Sequence, residues 1–163
     1  MSSFKDLRVV DNFYQTSLFF PMPAVLISTL TDDGKTTCGP YSLLAPFYVA
    51  GKEYYAFLLE GRNSSNTVQN LIKHKKCVIN FLPDDSASFR EMVRLGWPGG
   101  KPEEKMKDFR FHLEDGLRKE ADPDGIYPQV ISEAVQAVEC TWVDTLDHAQ
   151  DTQCHGGSSP SAF

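Results

Sequence analysis

The chain has 163 residues and a formal charge of −6, from 16 Lys and Arg against 22 Asp and Glu, with 41% apolar and 23% charged residues. This ordinary globular usage predicts one folded domain rather than disorder, and a pI near 5.1 argues against nucleic acid as the main partner, because phosphate backbones demand a basic footprint. No apolar run approaches the roughly 20 residues of a membrane span; with no signal-peptide pattern after Met1, four scattered cysteines (Cys38, Cys77, Cys140, Cys154) and no CxxC, a cytoplasmic protein with reduced thiols is expected.

Residues 13–23 mix aromatics with Pro21 and Pro23, which predicts a short lead-in helix stopped by the prolines. Residues 24–30 (Ala-Val-Leu-Ile-Ser-Thr-Leu) are apolar and β-branched, hence a buried strand. Asp32-Asp33-Gly34-Lys35 signals a hairpin turn, and the returning strand starts at Thr36 and is expected to break at Gly39-Pro40. Leu43 to Ala50 is strand or extended loop, with Pro46 inside it, and Glu53 to Glu60 is strand-like by its aromatic content. After the polar loop Gly61-Arg-Asn-Ser-Ser-Asn, Val68, Leu71 and Ile72 give Thr67 to Lys76 a helical face, capped by Ser65 or Asn66. Cys77 to Leu82 reads as the next strand.

From residue 84 the pattern turns helical. Phe89, Met92, Val93 and Leu95 mark one amphipathic helix, and Glu103 to Leu113 a second, with Pro102 at its first position. Asp122-Pro-Asp-Gly is a turn, Ala134 to Val143 a strand, and the Gly/Ser-rich end a flexible tail. About five strands in hairpin-like succession, with the helices grouped late, predict a mainly β fold: an antiparallel sheet or barrel with helical additions. The expected domain is 1–146, its helical excursion covers about 84–125, and 147–163 is the tail.

The most informative stretch for chemistry is Arg62-Asn-Ser-Ser-Asn-Thr67 at a helix start. Free backbone N–H groups, hydroxyls and an arginine stand together there, as in a phosphate monoester site. Plain helix capping beside an exposed arginine explains the same residues.

Several ordered segments extend this reading. They are Pro23-Ala-Val-Leu-Ile-Ser-Thr, Asp33-Gly34, Gly39-Pro40-Tyr41-Ser42, Asn66-Thr67-Val-Gln-Asn70-Leu, Val78-Ile-Asn80-Phe and Glu139-Cys140. Together they resemble the flavin reductase-like group of FMN-binding split-barrel proteins, well over residues 20–82 and loosely over 126–143. The resemblance implies an antiparallel split barrel that pairs as a homodimer, with FMN near the subunit interface. NADH or NADPH would be the electron donor and a further molecule the acceptor. Carried over by position, Gly39, Pro40, Tyr41 and Ser42 approach the flavin ring, mainly through backbone groups. Arg62, Ser64, Ser65, Asn66 and Thr67 surround the phosphate; Asn70 matches the family's helix, and Ser28 and Thr29 are secondary contacts. Asn66 stands where the family often has Asp, and Met22 where it often has Arg. After Asp147-His148 the family's closing strand is expected to be absent or replaced in this chain.

Hydride transfer to a flavin needs stacking and positioning more than a dedicated acid–base pair, so no side chain is assigned as catalytic. A non-catalytic flavin carrier, a sensor or a small dimeric scaffold is the alternative. Among the remaining residues, Cys38 is expected to be packed and inert, and Tyr41 to pack in a core or interface. His74 is expected at the surface near a helix end, and Trp97 as a loop anchor. His112 has nothing to fix its direction, and His148, Cys154 and His155 match no zinc spacing.

Overall fold

A computed structural model describes residues 23–47 and 56–143 of the chain. The expected lead-in helix and tail, with His148, Cys154 and His155, lie outside the described residues. Within them, three antiparallel sheets and four helices form a mainly β fold.

The largest sheet contains β1 (Val25–Leu30), β2 (Thr36–Tyr41), β5 (Lys76–Phe81) and β8 (Gln136–Thr141), in the order β2-β1-β5-β8. The β1–β2 hairpin turns at Gly34, whose φ of 75° suits a residue without a Cβ. Thr31 N–H donates to Lys35 O at 2.8 Å across that turn. Contrary to expectation, β2 does not break at Gly39-Pro40: it runs on to Tyr41, with Pro40 opposite Leu26. An edge strand tolerates proline because one side of its backbone makes no ladder bonds. β3 (Leu44–Phe47) and β4 (Ala56–Leu59) form a separate pair, with Pro46 opposite Phe57.

β1 is buried on both faces, and alternation along it divides the interior in two. Val25 and Ile27 join Leu44, Leu71, Cys77 and Ile79 on one side. Leu26 joins Cys38, Met92, Leu95 and Ile131 on the other.

Helix α1 (Asn66–His74) covers the first side. Ser65 caps it by accepting from Val68 N–H at 3.2 Å, and Lys75 ends it in the left-handed conformation, donating its N–H to Leu71 O. Helix α2 (Ser86–Gly96) covers the second side, capped by Asp85, which accepts from Ala87 and Ser88 N–H. Its buried face is Ser88, Glu91, Met92 and Leu95. Phe89 and Val93, expected in that face, are 62% and 50% exposed. The polar residues Ser88 and Glu91 take their place, and Glu91 pairs with Arg94. The Arg94 and Arg110 guanidinium groups outweigh the effect of burial and hold the Glu91 carboxyl below its usual range.

Helix α3 (Pro102–Lys107) begins at Pro102 as expected but stops well before Leu113. The chain then folds Phe109 and Phe111 onto the second core, their rings edge to face at 5.7 Å. Next come β6 (Leu113–Glu114), helix α4 (Arg118–Ala121) and β7 (Val130–Ile131), with β6 paired to β7. Among the described residues, no helix is long and apolar enough to cross a membrane.

Candidate functional site

The end of β2, the loop before α1 and the first turn of α1 meet on the first side of the large sheet. Three local features draw them together. Gly39 faces Thr67 so closely that a Cβ there would run into Thr67 Oγ1. A Cβ on Gly61 would stand 2.6 Å from Val68 Cγ2 and 3.1 Å from Tyr41 Cε1. The Tyr41 hydroxyl and Ser65 Oγ then share a hydrogen bond of 2.7 Å. One serine hydroxyl thus both caps the helix and ties it to the strand.

Around this junction, Thr67 is buried, Ser65 and Tyr41 are half-buried, and Ser42, Arg62, Ser64 and Asn66 are exposed. Arg62 O accepts from Ser65 N–H at 2.8 Å, so the loop turns sharply into the helix. The N–H groups of Asn66 and Thr67 belong to the first turn and have no intrahelical acceptor. These N–H groups lie at the positive end of the helix dipole, with the exposed Arg62 on the loop just before them.

Behind the first turn, Asn70 Nδ2 donates to Thr29 Oγ1 at 3.2 Å. Thr29 is therefore a support for α1, fully buried beneath Asn70. Ser28, the other expected secondary contact, is not brought to this junction. It points to the opposite face of the sheet, where its Oγ accepts from Asn80 Nδ2 at 3.0 Å and lies 3.5 Å from Cys38 Sγ. Its backbone is enclosed by β2 on one side and β5 on the other.

Pro40 also faces α2, where its ring lies 3.1 Å from the place a Gly96 Cβ would occupy. Gly39, Tyr41, Ser65, Thr67 and Asn70 are thus brought together by side-chain position, with Arg62, Ser64 and Asn66 on the adjoining loop and helix start. Pro40 can contribute there by backbone alone.

Cys38 is packed, as expected: burial pushes its thiol up to about 12, which leaves it protonated and unreactive. His74 is half-buried rather than at the surface, with Nε2 3.6 Å from Asp32 Oδ1. His112 is exposed and pairs with Glu133. Trp97 is no anchor; it is 71% exposed beside an open cleft with Arg94, Pro98 and Lys105, on the α2 side of the sheet.

Comparison with known proteins gives these positions a context. No family model and no curated protein matches the sequence. Solved structures do match. Flavoredoxin of Desulfovibrio vulgaris (Miyazaki F) aligns over 91% of this chain and 70% of its own, at 16% identity and a TM-score of 0.67. The 2-nitrobenzoate 2-nitroreductase NbaA of Pseudomonas fluorescens aligns over 84% of this chain and 61% of its own, at 21% identity and 0.63. Nitrilotriacetate monooxygenase component B of Bacillus cereus aligns over 98% and 76%, at 15% identity and 0.63. The fold is that of the flavin reductase-like proteins. The chain therefore spans about three fifths to three quarters of these structures' lengths.

Within this flavin reductase-like fold, two residues matter more than the sequence alone suggests. Gly61 permits the loop to lie on Tyr41, and its signal was a glycine immediately before Arg62 at a strand-to-helix crossing. Asn80 is fully buried; its Nδ2 donates to Leu26 O and Ser28 Oγ, both at 3.0 Å, and its Oδ1 accepts from Ile131 N–H at 3.0 Å. A buried asparagine in an apolar strand is a visible signal of such a network.

Proposed function

We propose that the chain binds FMN and acts as a flavin reductase-like oxidoreductase, taking electrons from NADH or NADPH and passing them to a separate acceptor. The observation that supports this most is the Tyr41–Ser65 hydrogen bond, because it joins the strand end that resembles a ring-binding segment to the helix start that resembles a phosphate-binding one. The residues present fit FMN. Arg62, Ser64, Ser65, Asn66 and Thr67 would hold the phosphate, and the backbone of Gly39 to Ser42 would line the ring. In a chain of net charge −6, a dianion needs concentrated local positive potential, and Arg62 with the α1 dipole provides it.

When bound, FMN supplies the two-electron redox chemistry. This chain's residues bind and orient: the capped helix fixes the donors around the phosphate, and the close approach at Gly39 and Gly61 sets the distance between loop and strand. Backbone N–H groups aimed at a ring edge stabilise negative charge there without a side-chain proton donor. In this reading two copies close the split barrel as a cytoplasmic homodimer, with the flavin near their interface.

The test is spectroscopic. The purified protein is titrated with FMN, and NADH or NADPH is then added without oxygen. Bound FMN and nicotinamide-driven bleaching are expected. A protein that takes up no FMN refutes the proposal, and one that stays yellow reassigns it to flavin carriage. Arg62→Ala is expected to weaken FMN binding by about 1.5–3 kcal/mol, the scale of charge-assisted hydrogen bonds, with the melting temperature unchanged. Unchanged affinity would place the phosphate elsewhere.

A further inference from the structure

A pair of cysteines stands apart from the junction at Tyr41. Cys77 on β5 and Cys140 on β8 are direct partners in the antiparallel register. Their side chains fall on the same face, in the first core. Two residues along, Trp142 N–H donates to Lys75 O at 2.8 Å, which makes 77 and 140 a hydrogen-bonded pair by alternation. Such pairs have Cα atoms about 5.5 Å apart, inside the range a disulfide spans.

The two thiols differ. Cys77 is buried, whereas Cys140 is half-buried on a strand at the edge of its sheet. Cys140 Sγ donates to Val138 O at 3.6 Å, the Cys77 thiol and the Arg118 and Glu139 charges act on it, and Tyr127 donates its hydroxyl to Cys140 O at 2.8 Å. The neighbouring Cys77 thiol, together with the Arg118 charge, lowers the Cys140 pKa against the effect of burial, and the same neighbour and burial raise that of Cys77. A half-buried thiol on an edge strand directly opposite a buried one is the placement that an attacking and a resolving cysteine need.

We propose that Cys140 is an oxidation site for hydroperoxides and that Cys77 resolves it as a reversible cross-strand disulfide. The Cys140 thiolate attacks one peroxide oxygen; the O–O bond breaks, giving a sulfenic acid and hydroxide. Cys77 sulfur then displaces the sulfenic oxygen, which leaves as water with the Cys77 proton. In sum, two thiols are oxidised and one hydroperoxide is reduced. Cβ atoms of a hydrogen-bonded pair are set wider than a relaxed disulfide prefers, so the bond is strained and readily reduced. The inference stands independently of flavin binding.

The folded chain carrying Cys154→Ser, to exclude that partner, is exposed to hydrogen peroxide. It is then blocked with maleimide under denaturing conditions and mapped by mass spectrometry. The expected product is a peptide pair joined through Cys77 and Cys140, lost on mild reduction, with Cys38 still a free thiol. In Cys77→Ser, dimedone should trap a sulfenic acid at Cys140. Before oxidation, Cys140 should alkylate at least about tenfold faster than Cys38. Absence of the 77–140 bond in the folded parent chain, or labelling of Cys140 no faster than Cys38, overturns the proposal without recourse to either variant's folding.

Discussion

Ser28 and Thr29 are neighbours on one strand, similar in chemistry and equally buried, yet they serve opposite sides of the sheet. On the α2 side, polar groups are spent on one another. Ser28 accepts from Asn80, Asn80 also holds Leu26 and Ile131, and Glu91 holds Arg94. On the α1 side, Thr29 supports Asn70, and the polar groups beyond it run from buried Thr67 and half-buried Ser65 to exposed Arg62, Ser64 and Asn66. A side whose polar groups are mutually satisfied is a stability device. A side whose donors converge at an exposed helix start can bind something.

The largest expected effect tests the first half of that contrast. Asn80→Ala removes the acceptor of Ile131 N–H and the donor to Leu26 O and Ser28 Oγ inside a fully buried site. One stranded buried amide alone costs about 1–3 kcal/mol, and the lost volume adds to it. Denaturant unfolding should show a loss of about 3 kcal/mol. FMN affinity of the remaining folded protein should be unchanged, because Asn80 faces away from the junction. A large affinity loss with small stability loss would reverse the assignment of the two sides.

Gly39→Ala tests the second half. Its Cβ would meet Thr67 Oγ1, and Thr67 is buried with little room to yield. Overpacking of this kind costs about 1–3 kcal/mol. Because the strain falls between β2 and the first turn of α1, FMN binding should weaken along with stability, unlike in Asn80→Ala. Unfolding curves and FMN titrations on both variants separate the cases.

What the sequence disclosed follows the same division. The β1–β2 hairpin, α1 with its Ser65 cap, and β5 were legible because each has a strong local cause: β-branched runs, the Gly34 turn, an i, i+3, i+4 apolar face. Strand β2 runs past Pro40, which reads as a breaker by residue type, and only the sheet order reveals that it lies at an edge where proline is tolerated. The two-residue strands β6 and β7 carry no periodicity to detect. At the site, the helix-start residues could be named from their types. That Tyr41 reaches Ser65 could not, since 24 residues separate them and their meeting depends on how two glycines let the chains approach. The fate of Ser28 depended on strand parity, which a motif match does not weigh.

The smallest expected effect concerns α2, where apolar type misled about burial. Phe89 fits the helical apolar pattern but is 62% exposed, while Leu95 is 2% exposed in the second core. Phe89→Ser should change unfolding free energy by no more than about 0.5 kcal/mol, the usual range for exposed positions. Leu95→Ala at the buried face should cost about 2–5 kcal/mol by the same measurement. The pair measures the orientation of α2 directly: rotation of the helix enough to bury Phe89 would withdraw Ser88 or Glu91 from the interior, and the two costs would converge. A wide gap between them fixes α2 with its polar Ser88–Glu91 edge inward, the packing that completes the mutually satisfied side of the sheet.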